Sequence, residues 1–249
     1  MRSSATHASW RVTSHPLSDG AEGDSGHVDF QQQNFLTGGL ISRQIEPGVG
    51  MDTRWNGFMQ YRFTNERVLS GDELFDRNRF NYIAFFSPSR RISNVGVFGS
   101  VGQQIDFANS RLGHGPDNEF HLTVNATNHL AFDASATIRS LYVDDAAGAS
   151  RRLFRAQVER LKSTYTFNAR MFVRGIVQYV STRNDPALFI DPVRAKSGSL
   201  DGSFLLAYKL NWQSVMFVGY GDTRELSEQD RLERQDRQFF VKLSYALQR

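Results

Sequence analysis

Four residues within eight positions carry side chains able to do acid–base or metal chemistry: His114, Asp117, Glu119 and His121. Imidazole and carboxylate groups exchange protons near neutral pH and can ligate metals. Glu119 and His121 share one parity of an extended stretch whose other parity is Phe120, Leu122, Val124 and Ala126, while His114 and Asp117 read as part of an adjoining loop with Gly113, Gly115 and Pro116. A rim site built from His114, Asp117 and His121 is the enzymatic reading. The alternation argues for a plainer one, because polar residues at every second position are what the lumen side of any barrel strand presents. Other catalytic and cofactor signatures are weak. No serine sits in a nucleophile elbow. Asp185 and Asp191 fall in a long loop without EF-hand spacing, so a solvated loop is preferred to a calcium site. Gly96, Gly99 and Gly102 do not lead from a strand into a helix, which argues against a dinucleotide site and for relief of crowding in a curved sheet. No cofactor and no metal are expected, and the balance leans away from an enzyme.

A second kind of chemistry is electrostatic. Arg139, Arg174 and Lys209 fall on the polar parity of their segments, as do Glu119, His121, Asp133, Gln178, Asp201 and Lys242. Such a set either lines an anion-attracting lumen or neutralises itself, with the three cations paired to Asp133, Asp201 and Glu119. Self-pairing is slightly favoured, since a barrel of about twelve strands is narrow and often filled by side chains.

The elements that must position these residues are strands. The clearest is a hairpin from Leu161 to Tyr179: Met171, Val173, Gly175, Val177 and Tyr179 share one face, and Asn168 and Ala169 are expected to form its two-residue turn. Similar alternation appears around residues 57–63, 80–86, 95–107, 120–126, 130–142, 200–210 and 239–247, whereas 215–220 is apolar throughout and its facing is open. Near the N-terminus, Trp10 and Val12 mark a weak strand, Ser18 to Gly26 a loop, and Val28 and Phe30 open a Gln-rich segment that Glu46-Pro47-Gly48 is expected to break. About twelve strands result. Short turns near 127–129, 168–169 and 211–213 alternate with long polar connections near 143–152, 181–199 and 221–236, and another charged loop is expected at 65–77.

This pattern predicts one all-β domain, an antiparallel up-and-down transmembrane β-barrel with short periplasmic turns and long extracellular loops. Aromatic residues at strand ends match the girdles of such barrels: Tyr165, Phe167, Tyr208 and Tyr245 toward the short turns, Phe63, Tyr142 and Tyr179 toward the long loops. Composition agrees. A mean hydropathy of -0.44 leaves no run of about 18 apolar residues for a membrane helix, and 20 Phe with 8 Tyr favour strands. The chain has no cysteine, hence no disulfides. Its net charge of +3, without a basic run interleaved with aromatics, argues against nucleic-acid binding. Both termini are expected in the periplasm, lipid is the expected partner, and the oligomeric state is open. Met1 to His7 contain no apolar core of a secretory signal. That absence favours the competing reading, a soluble all-β binding module.

The runs Arg160 to Phe167 and Phe172 to Tyr179, with the ending Phe239 to Tyr245, resemble the C-terminal barrel region of an uncharacterised bacterial family that carries an N-terminal family-9-type carbohydrate-binding domain. The resemblance covers about residue 95 to the end. It implies an outer-membrane barrel that anchors, or provides passage for, a carbohydrate-handling system, with this chain the C-terminal part of a longer precursor. Saccharide contact is implied only through the missing N-terminal domain, and these strand and turn motifs transfer no catalytic residue.

Overall fold

The computed structural model describes residues 5–14, 25–35 and 39–246. They form thirteen strands in one antiparallel sheet whose spatial order is the order of the chain. The strands are β1 (Ala5–Ser14), β2 (Ser25–Phe35), β3 (Leu40–Thr53), β4 (Gly57–Ser70), β5 (Glu73–Phe86), β6 (Ile92–Asp106) and β7 (Arg111–Asn125). They continue with β8 (Leu130–Asp144), β9 (Ser150–Asn168), β10 (Met171–Asn184), β11 (Lys196–Lys209), β12 (Ser214–Leu226) and β13 (Leu232–Tyr245). A 3-10 turn, Pro186–Leu188, lies between β10 and β11. The up-and-down antiparallel architecture matches the expectation, with one strand more than about twelve. No pairing joins β1 to β13 among the described residues. An odd number of antiparallel strands also puts Ala5 and Tyr245 at opposite ends of the sheet, where an even count would have brought them to the same end.

Register confirms the central hairpin. Val173 lies opposite Tyr165 and Val177 opposite Leu161, and the turn is Ala169-Arg170, one residue later than expected, because Met171 still pairs with Asn168 before a bulge at Phe167. The same logic settles the ambiguous segment. Met216, Val218 and Tyr220 lie opposite Tyr208, Leu206 and Phe204 and so join the apolar face, leaving Val215, Phe217 and Gly219 on the polar one.

Several expected loops are strands. The turn of the charged 65–77 segment shrinks to residues 71–72, that of 143–152 to 145–149 and that of 221–236 to 227–231, while His114, Gly115, Pro116 and Asp117 all belong to β7. A backbone ladder needs no apolar side chains, so pairing continues past the point where hydrophobic alternation stops. Pro47 likewise sits inside β3, at a break in the β3–β4 ladder between the pairs Ile45–Asn65 and Gly48–Arg62, where its missing N–H costs nothing. One end of the sheet forks. The β5–β6 ladder ends at Arg79–Gly102, where Gly102 has φ +134° and a Cβ would stand 2.4 Å from the Asn78 carbonyl oxygen. The loop expected at Ser18–Gly26 lies largely outside the described residues, as do Leu247 and Gln248 and the side chains of Trp10 and Val12.

The two faces of the sheet differ in an unusual way. On the apolar parity Val177 is 51 % exposed, Phe204 49 % and Leu161 47 %, and among the described residues no second layer covers them. Buried charged side chains lie instead on the polar parity, Glu46 at 6 % and Glu66 at 8 % exposure. A soluble sandwich shows the reverse, since burying apolar area contributes about 25 cal/mol per Å² and burying an unpaired charge is costly.

Candidate functional site

The polar face carries the chemistry, and period-two alternation puts it there: through the middle of the sheet most charged residues turn to one side and most aliphatic and aromatic ones to the other. From β3 to β5 these residues form a network. Glu46 on β3 meets Arg62 on β4 at 2.6 Å and accepts from the Thr64 hydroxyl at 3.0 Å. Glu66 on β4 holds both Arg77, directly opposite it, at 2.7 Å and Arg79, one side-chain step further along β5, at 3.4 Å. Asn81 donates to the Thr64 oxygen at 2.5 Å and closes the set. The next strands continue it. Arg139 on β8 lies 3.8 Å from Asp117 on β7 and donates to Gln104 Oε1 on β6 at 3.2 Å.

Further round, β7 to β9 enclose a polar cavity of about 230 Å³, lined by His121, Thr123, Asp133, Ser135, Arg160 and Lys162 among others. Asp133 takes Lys162 at 2.8 Å and the Thr123 hydroxyl at 3.0 Å. His121 Nε2 lies 2.7 Å from Glu119 Oε1. Arg160, Arg174 and Lys209 make no ion pair among the described residues, and the Arg174 Nε is buried without a hydrogen-bond partner. Asp201, the carboxylate expected to neutralise this region, accepts instead from Ser199 at 3.1 Å. Gln178 stands directly between Asp201 and Arg160 in the register. Lys242 lies on the same parity of β13 and is exposed.

A strap closes part of one end. The connection between β10 and β11, residues 185–195, starts with Asp185, whose carboxylate accepts from the Ala187 amide at 3.3 Å and binds Arg151 at 2.6 Å. Leu188 then packs with Leu141, Val143 and Leu153 in a buried apolar cluster, flanked by Phe154 and Phe189. Beyond it the Arg111 guanidinium donates to the Leu188 carbonyl, and the Ile190 amide donates to Asn109 Oδ1 at 3.4 Å. The strap therefore runs from β10 across the ends of β9 and β8 to the β6–β7 turn. Gly113 helps make the room, since a Cβ there would stand 2.9 Å from Leu141 Cδ1.

The proposed acid–base cluster does not converge. Asp117, Glu119 and His121 lie on the polar parity of β7, but His114 lies on the opposite one, stacked on Tyr142 with ring centroids 5.7 Å apart and 3.3 Å from the Ser150 hydroxyl. The partners expected for Arg139 also change, to Asp117 and Gln104 in place of Asp133 or Glu119. Glu66 and Arg77 escape sequence reasoning because the segment holding them reads as a loop, and Arg62, Lys162 and Arg160 escape it although their alternation is visible. Arg111 and Leu188, 77 positions apart, left no local signal.

A single antiparallel sheet with an exposed apolar face and a charged, partly strapped polar face is thus the class that fold and site define. No family model matches the chain, and no curated protein matches it. Among solved structures it is similar to a NanC porin in a rhombohedral crystal form, with 11 % identity, a TM-score of 0.37, and coverage of 98 % of this chain and 99 % of that one.

Proposed function

We propose that this chain is a β-barrel domain of the bacterial outer membrane whose polar face lines a passage with a preference for small anions. The observation that carries the reading is the uncovered apolar face. An apolar surface that continues over neighbouring strands needs a nonpolar surrounding, since monomeric soluble proteins rarely expose patches beyond a few hundred Å². Aromatic side chains flank it as membrane girdles do, with Tyr165, Phe167 and Tyr245 exposed near the short turns and Phe63 toward the other end. In this reading the strapped end faces outward from the cell. Anion preference follows from the unpaired Arg160, Arg174 and Lys209, which leave a positive field on one side of the polar face. The carbohydrate-handling part of the proposal rests on the family resemblance, with saccharides as its second class of cargo.

Planar-bilayer recording of the detergent-refolded chain under a salt gradient tests the passage. The expected result is discrete conductance with a reversal potential on the anion side. Cation selectivity would overturn the anion preference, and absence of both conductance and saccharide-driven vesicle swelling would reduce the domain to an anchor. The hydrolase reading loses its constellation, because His114 and His121 face opposite sides of the sheet.

A further inference from the structure

On the apolar face, beyond the hydrophobic belt at the strapped end, the structure presents a basic cleft. Its cavity, about 260 Å³, is lined by Arg152, Arg155, Gln157, Ser181 and Arg183. Arg155 on β9 lies directly opposite Arg183 on β10, with Ser140 on the β8 side and Lys196 on the β11 side of the same row. Arg152 stands opposite Tyr142 at the next position toward the strand ends. Side chains directly opposite in an antiparallel pair have Cβ atoms about 5 Å apart, and like charges there repel. No carboxylate makes an ion pair with Arg152, Arg155 or Arg183 among the described residues. Lys196 is taken by Asp230 at 3.1 Å. Two acidic groups lie on this face near the cleft: Glu159, opposite Tyr179 and two side-chain steps from Arg155 beside the belt, and Asp144, opposite Ser150 and one side-chain step beyond the Tyr142–Arg152 pair at the strand ends. A cross-strand pair of like charges with no ion pair to either member attracts an anion.

We propose that this cleft binds the phosphate group of a membrane lipid, the phosphorylated glycolipid of the outer leaflet. The proposal rests on the outer-membrane reading and on the strapped end facing outward. Position selects a lipid over a soluble anion. Gln157 and Ser181 lie one side-chain step past the Tyr179 level, and Arg155 and Arg183 lie two steps past it. At about 3.3 Å per residue, and with the strand tilt of barrels, that is about 10 Å beyond the girdle, where headgroups lie. Below the cleft the exposed Val177 and Leu161 offer a bed for acyl chains. Paired guanidinium groups suit a phosphate, since each forms two parallel N–H···O bonds to it.

The test is co-purification of the refolded chain from mixed micelles doped with lipid A or with its dephosphorylated form. Retention of lipid A about tenfold above the dephosphorylated lipid is expected, the scale of losing charge-assisted hydrogen bonds. The double variant Arg155→Gln/Arg183→Gln should abolish the difference, and Arg155→Lys/Arg183→Lys should keep part of it. Equal retention of the two lipids by the wild-type chain overturns the proposal whether or not the variants fold. Displacement by millimolar inorganic phosphate would assign the cleft to a soluble anion and also overturn it. Heat-dependent gel mobility, recorded first without lipid, separates the two levels. A chain that shows no shift and dissolves without detergent refutes the barrel itself, whereas a shifted chain with unselective lipid retention refutes only the cleft.

Discussion

The two halves of the polar face handle charge in opposite ways. From β3 to β8 the charges close on one another: Arg62 on Glu46, Arg77 and Arg79 on Glu66, and Arg139 on Asp117. On this face from β9 to β12, Lys162 reaches Asp133 and, at the strapped end, Arg151 reaches Asp185, whereas Arg160, Arg174 and Lys209 make no ion pair among the described residues. The first half is a scaffold, in which removing one partner strands another at low exposure. The second half is a surface, in which removing a charge changes the field and little else. The same residue types therefore do different work according to what their cross-strand neighbour happens to be.

Replacing Glu66 by Gln breaks the comparison on its structural side. Two guanidinium groups lose their common carboxylate, and destabilisation of about 3 kcal/mol is expected, the scale for breaking a low-exposure ion pair. Chemical unfolding in detergent measures it. Leu188→Ala comes next, since it removes the anchor of the strap from the Leu141, Val143 and Leu153 cluster at a cost of about 2 kcal/mol. Single-channel recording should then show larger conductance, and unchanged conductance with a loosened strap would mean that the strap does not narrow the passage. Arg174→Gln sharpens the other side of the comparison. Its effect on unfolding should stay within about 0.5 kcal/mol, while the reversal potential moves toward zero.

The smallest effect concerns an exposed pair beyond the belt. Arg67 binds Asp76 through two hydrogen bonds of 2.6 and 2.5 Å, and these hold the Asp76 carboxyl below the usual carboxylate range. A lowered folded-state pKa means the pair contributes fully above the unfolded value of about 3.9 and is lost as pH falls through the lower folded value. Titration of the Asp76 carboxyl by NMR should therefore show its midpoint below that of a model aspartate, and the Arg67→Gln variant should restore the ordinary midpoint.

Much of this was legible before any tertiary structure. The hairpin around Asn168, the faces of β7 and β8, and the polar parity of Glu119, His121, Asp133, Arg139, Arg174 and Lys209 all follow from alternation, because strand geometry forces successive side chains to opposite sides. Two kinds of information were hidden. Polar strand extensions such as Glu66 to Ser70 and Glu73 to Arg77 look like loops, since backbone pairing leaves no mark on side-chain hydropathy. Partner choice was hidden as well. Arg139 has several carboxylates within the reach expected of its parity, and only the register, with Asp117 directly opposite it, selects one.

By itself the sequence determined an all-β chain with one apolar and one charged parity, and with that the need for a nonpolar surrounding on one side. Those properties depend on residue order along single strands. Tertiary structure decided the number of strands, the separation of His114 from His121, the crossing of the strap from β10 to the β6–β7 turn, and the meeting of Arg155 with Arg183. Each depends on register between strands or on contacts between residues as much as 77 and 81 positions apart, and a register shift of one residue would move every side chain to the other face.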